Sequence, residues 1–228
     1  MLGTYTRLLL SNLSLACVLS PTRDEMDLSL LCSVENYLIE HKPDIVIHLA
    51  ATVYGLGGNM SNPILSLTSN TLINNNLFSA LAKFPVEHIF FASTVAGYPF
   101  SGATPNISLK EADFFSGMPH DGEFGYAMAK RHAYSYLKLL KRVCSTRFTY
   151  GIFTNLYGRY DRFDSIHGHV IPSLVAKSFL ARERSEPLVV WGNSQSTRDF
   201  MHAADASSAL IHLITKCPDI EVVNISSG

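Results

Sequence analysis

Tyr126 and Lys130 stand one helical turn apart in Gly125-Tyr126-Ala127-Met128-Ala129-Lys130, so a helix would carry both side chains on one face. A phenol is a poor proton donor or acceptor at neutral pH, its ordinary pKa being about 10. An ammonium held beside it stabilises the phenolate and draws that pKa toward the working range. Any exposed helix face can carry the same spacing by chance. The pair gains meaning from its company: Ser93-Thr94 upstream and the turn Asn155-Leu156-Tyr157-Gly158 downstream.

Elements that could position these residues follow one another in a regular alternation. Leu28 to His41 has a helical apolar period and stops at Lys42-Pro43. Asp44 to Ala51 and His88 to Ser93 are short continuous apolar runs, as expected of strands buried on both faces of a parallel sheet. Between them lie a glycine-rich loop, Gly55 to Asn62, and a helix from Pro63 to Lys83. A polar loop, Pro99 to Asp121, leads to the Tyr126 helix, which runs to Val143, and a third strand spans Phe148 to Leu156. This βαβα order predicts a Rossmann-like, doubly wound α/β sheet, in which ligands bind beyond the carboxyl ends of the strands. Ser93-Thr94 and Asn155 fall at such ends. After Gly158 come a helix from His169 to Arg184, a strand Leu188–Trp191, the polar segment 197–202, a helix Ala203–Lys216 and a strand Glu221–Ile225. We therefore expect a dinucleotide-binding region over 1–158 and a partial substrate-binding region over 159–228.

A chain of 228 residues with 47% hydrophobic and 16% charged residues can bury a large core. Its net charge of −1 gives no support to a nucleic-acid partner, and no apolar run is long enough for a membrane span. Cys17, Cys32, Cys144 and Cys217 are scattered without a CxxC spacing. They read as small buried apolar residues in a reducing, cytoplasmic setting, with neither a disulfide nor a metal framework. Leu8 to Leu19 could pass for a signal peptide, but Ser11, Asn12 and Ser14 interrupt it. An amphipathic helix from Thr4 to Ser14 and then a strand Ala16–Leu19 fit better with the alternation of elements that begins at Pro21.

The motifs together carry a family resemblance. They are Arg23 to Leu28, His48-Leu49-Ala50-Ala51, Ser93-Thr94 with Tyr98-Pro99, and the Tyr126 to Lys130 turn. Thr154 to Gly158, His169-Val170-Ile171-Pro172, Val190-Trp191-Gly192 and Arg198 to His202 continue the series. The chain resembles the extended short-chain dehydrogenase/reductases of the sugar-nucleotide epimerase/dehydratase group, most of all their GDP-L-fucose synthase branch. The resemblance implies an NADP(H)-dependent reductase/epimerase acting on a GDP-linked 4-keto-6-deoxy sugar, and a homodimer through the helices at 63–83 and 126–143. It further implies that Thr94, with Ser93 as the fallback, hydrogen-bonds the sugar carbonyl while Tyr126 protonates the same oxygen. Lys130 would lower the tyrosine's pKa and bind the nicotinamide ribose, and His169, beside the cofactor, would be the acid of the epimerisation. Asn155, Lys177, Trp191 and Arg198 would contact the substrate, the two cations suiting its diphosphate. Gly3, Asp27, Leu28, Ala50 and Ala51 would line the cofactor site with Tyr126 and Lys130.

Two features depart from the family pattern. The Gly-x-x-Gly-x-x-Gly turn is represented only by Met1-Leu2-Gly3, with Gly3 at its last position, and its strand is missing. The chain is thus expected to be a piece of a longer enzyme and to bind dinucleotide poorly by itself. The cysteine base of family epimerases has no counterpart in Val95-Ala96-Gly97, which makes a pure 4-ketosugar reductase an alternative, and the absent glycines make a non-catalytic fragment another. Arg23, with Ser20 or Thr22, suits a 2′-phosphate and points to NADP(H) over NAD(H).

Overall fold

The apolar runs do become strands of one parallel sheet. The computed structural model describes residues 1–13, 17–53, 55–100, 108–165, 168–190, 192 and 197–228. Its strands are β1 (Ile45–His48), β2 (His88–Thr94), β3 (Arg147–Phe153), β4 (Asn155–Tyr157), β5 (Phe200–His202) and β6 (Val222–Ile225). The main sheet has the order β1-β2-β3-β6 and is parallel throughout. The helices are α1 (Leu2–Ser11), α2 (Leu31–His41), α3 (Gly55–Ser61), α4 (Pro63–Lys83), α5 (Phe124–Cys144), α6 (Val170–Arg184) and α7 (Ala203–Lys216).

Side chains alternate across β2, so the sheet is coated on both faces. Ile89 and Phe91 enter one core with Val34 and Leu38 of α2, Phe78 and Leu81 of α4, Leu137 of α5 and Tyr150 of β3. Phe90 points the other way, into a core with Phe153 and Leu210 of α7, with Leu2 of α1 at its margin. Helices thus cover both faces, as the doubly wound reading requires. Two elements from beyond residue 158, α7 and β6, return to this sheet, β6 pairing with β3 from Tyr150↔Val222 to Phe153↔Ile225.

Several expected elements differ. Cys17 to Ser20 forms no strand, since a strand needs a ladder partner and the space toward β1 is an open cleft. Residues 14–16 lie outside the described set. Leu188 to Val190 likewise pairs with nothing and is exposed, Val189 at 62%. The glycine-rich stretch expected as a loop is α3, held by burial of Asn59, whose side chain accepts a bond from Ser66 Oγ at 3.0 Å. The third strand breaks at Thr154, whose hydroxyl donates to Asp199 O at 2.8 Å, and Asn155–Tyr157 peels away to pair with β5. None of the four cysteines is buried: Cys17 and Cys32 are exposed and Cys144 and Cys217 half-buried. Among the described residues no helix is long and apolar enough to cross a membrane.

The pair α4 and α5 packs closely at its N-terminal end because Gly125 has no side chain. A Cβ there would lie 2.2 Å from Pro63 O. Gly125→Ala should force the helices apart, and such overpacking costs about 1–3 kcal/mol. The readout is thermal unfolding; an unchanged Tm would mean that the helices have room to spare.

Candidate active site

Parallel strands end together, so the turns following β1, β2 and β3 gather at one edge of the sheet. Thr94 closes β2. Its Oγ1 accepts the Ala96 N–H at 3.2 Å, which leaves the hydroxyl proton available for a ligand. Ser93, one residue earlier, points to the opposite face of the pleat and is 5% exposed. Its hydroxyl donates to Tyr150 Oη at 2.8 Å, in the core.

Tyr126 and Lys130 are both on α5, as the spacing predicts. The ammonium of Lys130 is 2% exposed and donates to Ala92 O at 2.7 Å, with Phe91 4.7 Å and Tyr126 5.6 Å from Nζ to ring centroid. Burial brings the Lys130 pKa down to about 7. The spacing argument expects this lysine to lower the pKa of Tyr126, yet the tyrosine shifts upward, through burial first and the Glu123 charge second. Desolvation of the phenol sets the direction, and Lys130, its own pKa lowered by burial, contributes no opposing shift. Tyr126 is therefore held as a neutral hydroxyl.

A second group of ionisable residues adjoins the tyrosine. His169, the N-cap of α6, sets Nδ1 3.3 Å from both carboxylate oxygens of Asp161. That bond is the main reason its pKa is raised. For Asp161 burial would act upward, but bonds from His169 and the Arg162 N–H prevail and the net shift is downward. Glu123, three residues before Tyr126 and at the N-cap of α5, shifts the other way: burial raises its pKa against the charges of His120, Arg198 and His169. Asn155 Nδ2 donates to Asp199 O at 3.1 Å, and exposed Arg198 donates to Thr197 O at 2.7 Å. Lys177 is half-buried within α6. Trp191 lies outside the described residues.

Of the expected cofactor residues, Tyr126, Lys130 and His169 belong to the groups just described, and the others converge elsewhere at the same edge. Gly3, Arg23, Asp27, Leu28, Ala50 and Ala51 all line one cleft of about 740 Å³. Arg23 Nε is 3.2 Å from Asp27 Oδ2 with its side chain 79% exposed, and such a pair is weak enough to yield a guanidinium to a phosphate. Among the described residues Gly3 is the only glycine of the lining. A Cβ on it would meet Leu49 Cδ1 at 3.9 Å, an ordinary contact, so helix-to-sheet packing does not require glycine here.

Sequence reasoning missed Asp161, Glu123, Tyr150 and the buried pair His48 and Asn74. His48 Nε2 lies 2.9 Å from Asn74 Oδ1, and Asn74 Nδ2 donates to Ala129 O at 3.4 Å, tying β1 through α4 to the turn that bears Lys130. Burial, then the Lys130 charge, brings the His48 pKa down to about 4, so it is neutral. Of these Glu123 left a signal in its helical spacing from Tyr126, and His48 in opening the motif His48-Leu49-Ala50-Ala51.

His169 should hold its proton above its ordinary pKa while Asp161 is present. Because the folded value is raised, this bond adds stability below pH 6.5 and loses it as pH rises through the folded pKa. Asp161→Asn should shift the His169 midpoint downward, followed by NMR of the ring Cε1 proton. A midpoint that stays put would remove Asp161 as the cause.

Comparison with known proteins agrees with this geometry. A model of the NAD dependent epimerase/dehydratase family matches residues 5–226. The chain is 30% identical over 212 residues to a GDP-L-fucose synthase of Sinorhizobium fredii, covering 92% of this chain and 67% of that one. A GDP-L-colitose synthase of Yersinia pseudotuberculosis is also 30% identical, over 218 residues that cover 92% and 68% of the two chains. Among solved structures, a GDP-L-fucose synthetase from Naegleria fowleri bound to NADP is similar with a TM-score of 0.88 at 24% identity, across 100% of this chain and 74% of that one. The family match runs from within the first helix past the last strand and takes in the site residues described above apart from Gly3, so the chain belongs to the NAD dependent epimerase/dehydratase family.

Proposed function

We propose that this chain is an NADP(H)-dependent sugar-nucleotide reductase/epimerase acting on a GDP-linked 4-keto-6-deoxyhexose. The observation that carries the reading is the placement of Thr94, Tyr126 and Lys130 at the carboxyl end of β2. The relatives named for GDP-L-fucose and GDP-L-colitose synthesis support the substrate class. Arg23, beside Ser20 and Thr22 in the cleft, suits the 2′-phosphate, Asp27 and Leu28 the adenosine, and Ala50-Ala51 the close passage of the nucleotide. A dinucleotide held by these residues would supply the hydride for reduction of the sugar carbonyl. The Thr94 hydroxyl donates to the carbonyl oxygen, and Tyr126, held protonated, delivers its proton there as negative charge develops. Lys130, next to Tyr126, is the group through which the phenolate regains its proton. Asn155 orients the sugar, and Arg198 and Lys177 bind its diphosphate. A homodimer through α4 and α5 belongs to the same proposal, supported by exposed Ile64 and Leu72 on one helix and Leu139 and Val143 on the other.

A narrower reading, reduction without epimerisation, is favoured by one observation. Inverting a carbon beside a ketone needs a base as well as an acid, and His169 is suited to be the acid. The residues after Thr94 carry no thiol, and Cys144 sits at the end of α5 away from Tyr126, its Sγ 3.8 Å from Ala82 O. NADPH oxidation with a panel of 4-keto-6-deoxy sugar nucleotides tests the function. Deuterium uptake at the carbons flanking the ketone separates the two readings.

Tyr126→Phe should lower carbonyl reduction by about 10²- to 10⁴-fold, since it removes only the proton donor. Turnover equal to the parent would reduce Tyr126 to a helix-face residue. Arg23→Ala should weaken NADPH binding by about tenfold or more while sparing NADH, because a charge-assisted bond to the 2′-phosphate is worth about 1.5–3 kcal/mol. Equal loss for both cofactors, measured by titration, would leave Arg23 a loop residue only.

A further inference from the structure

Tyr150 has a side chain larger in function than its packing requires. It lies in mid β3, fully buried, opposite Phe91 of β2, with the two rings stacked at 5.5 Å and 11°. Phe114 and Tyr134 meet the same ring edge-on at 5.7 and 5.4 Å. A phenylalanine would satisfy every one of these contacts. The hydroxyl is a polar group in an apolar core, and leaving such a group unbonded there costs about 1–3 kcal/mol. It has two partners: it accepts from Ser93 Oγ at 2.8 Å and donates to Lys130 O at 2.9 Å.

Both partners belong to the reacting end of the sheet. Ser93 directly precedes Thr94, and Lys130 closes the helical turn that begins at Tyr126. The second link between the same two places is the bond from Lys130 Nζ to Ala92 O at 2.7 Å. Consecutive residues of β2 therefore hold two parts of one residue of α5: the Ala92 carbonyl takes its side chain, and Ser93, through Tyr150, takes its backbone. One link would act as a pivot, whereas two fix the rotation of the helix turn against the strand. We propose that the Tyr150 hydroxyl is a positioning group that sets Tyr126 and Lys130 at the correct angle to Thr94. This rests on the reading of those three residues as the reductase set. Tyr150 stays a neutral donor because burial drives its ionisation upward, with only Ser93 and Arg131 acting the other way. Displacing a catalytic group by about 1 Å costs on the order of 10²-fold in rate, so the loss of one link should be visible in turnover.

The test uses Tyr150→Phe, Ser93→Ala and the double variant, with three readouts. These are thermal unfolding, the NMR titration of the Lys130 side chain in the unliganded protein, and kcat and KM for NADPH-dependent ketosugar reduction. Tyr150→Phe should lower kcat by about tenfold or more with KM nearly unchanged, and should move the Lys130 midpoint upward as the turn loosens and water reaches the ammonium. Ser93→Ala, which leaves the ring in place and so tests the link even if the first variant folds poorly, should act in the same direction. The double variant should be no worse than Tyr150→Phe, because both changes cut one chain of bonds. A lowered Tm with kcat and the Lys130 midpoint unchanged would make Tyr150 a core residue only and overturn the proposal. Fully additive losses in the double variant would overturn it too. If the parent chain reduces no ketosugar, the functional reading fails separately. The Lys130 titration then decides the positioning role alone, a moved midpoint upholding it and an unmoved one rejecting it.

Discussion

An ammonium withdrawn from water needs an acceptor, and Lys130 finds one in the Ala92 carbonyl of β2. That bond imposes most of what surrounds it. The ladder of β2 with β1 ends at Phe91, one residue before this carbonyl, while its ladder with β3 runs on to Thr94, and for the ammonium to arrive, α5 must lie close over the strand. Gly125 admits α4 beside the same turn, and Asn74 of α4 reaches across to Ala129 O. His48, uncharged beneath them, fills the interior without adding a second positive charge. The helices are thus placed by the demands of one buried cation as much as by apolar packing.

Charge around the tyrosine is divided between two carboxylates with opposite behaviour. Asp161 is stabilised as an anion by its bonds and raises the pKa of His169. Glu123, desolvated and without a hydrogen bond of that kind, is biased toward its neutral form. Environments that push similar groups apart in this way are how one site holds an acid and an anion side by side. Asp161 raises the pKa of the histidine, and Tyr126 stays protonated chiefly because it is buried.

Much of this was legible in the residues. The Tyr126–Lys130 turn, the strand ends and the helices at 63–83 and 203–216 follow from spacing and apolar period, which are local properties. Thr94 could be told from Ser93 by parity, since alternate residues of a strand face opposite ways. The failures share one cause, that they depend on partners distant in the chain. Cys17 to Leu19 and Leu188 to Val190 have strand composition, yet composition cannot supply a ladder. Nothing near Thr154 announces that Asp199 will draw the chain aside, and Tyr150 is one more apolar-looking residue until its hydroxyl is seen between Ser93 and Lys130. Arg23 and Ala50 belong to two motifs separated in the chain; that they share a cleft is a property of the fold.

The position of β1 has a mechanical consequence. β2 and β3 are each bonded on two sides, whereas β1 is bonded to β2 alone and its other edge faces the cleft. Backbone amides held from one side open at lower free energy than those enclosed by neighbours, so hydrogen exchange would run faster along β1, and along the other edge strand β6, than along β2 and β3. Ala50-Ala51 continues from the soft strand and Thr94 from the stiff one. The wall that would meet a nucleotide is therefore compliant, while the wall that would meet the reacting carbonyl is rigid, and the two stiffnesses sit on adjacent strands of a single sheet.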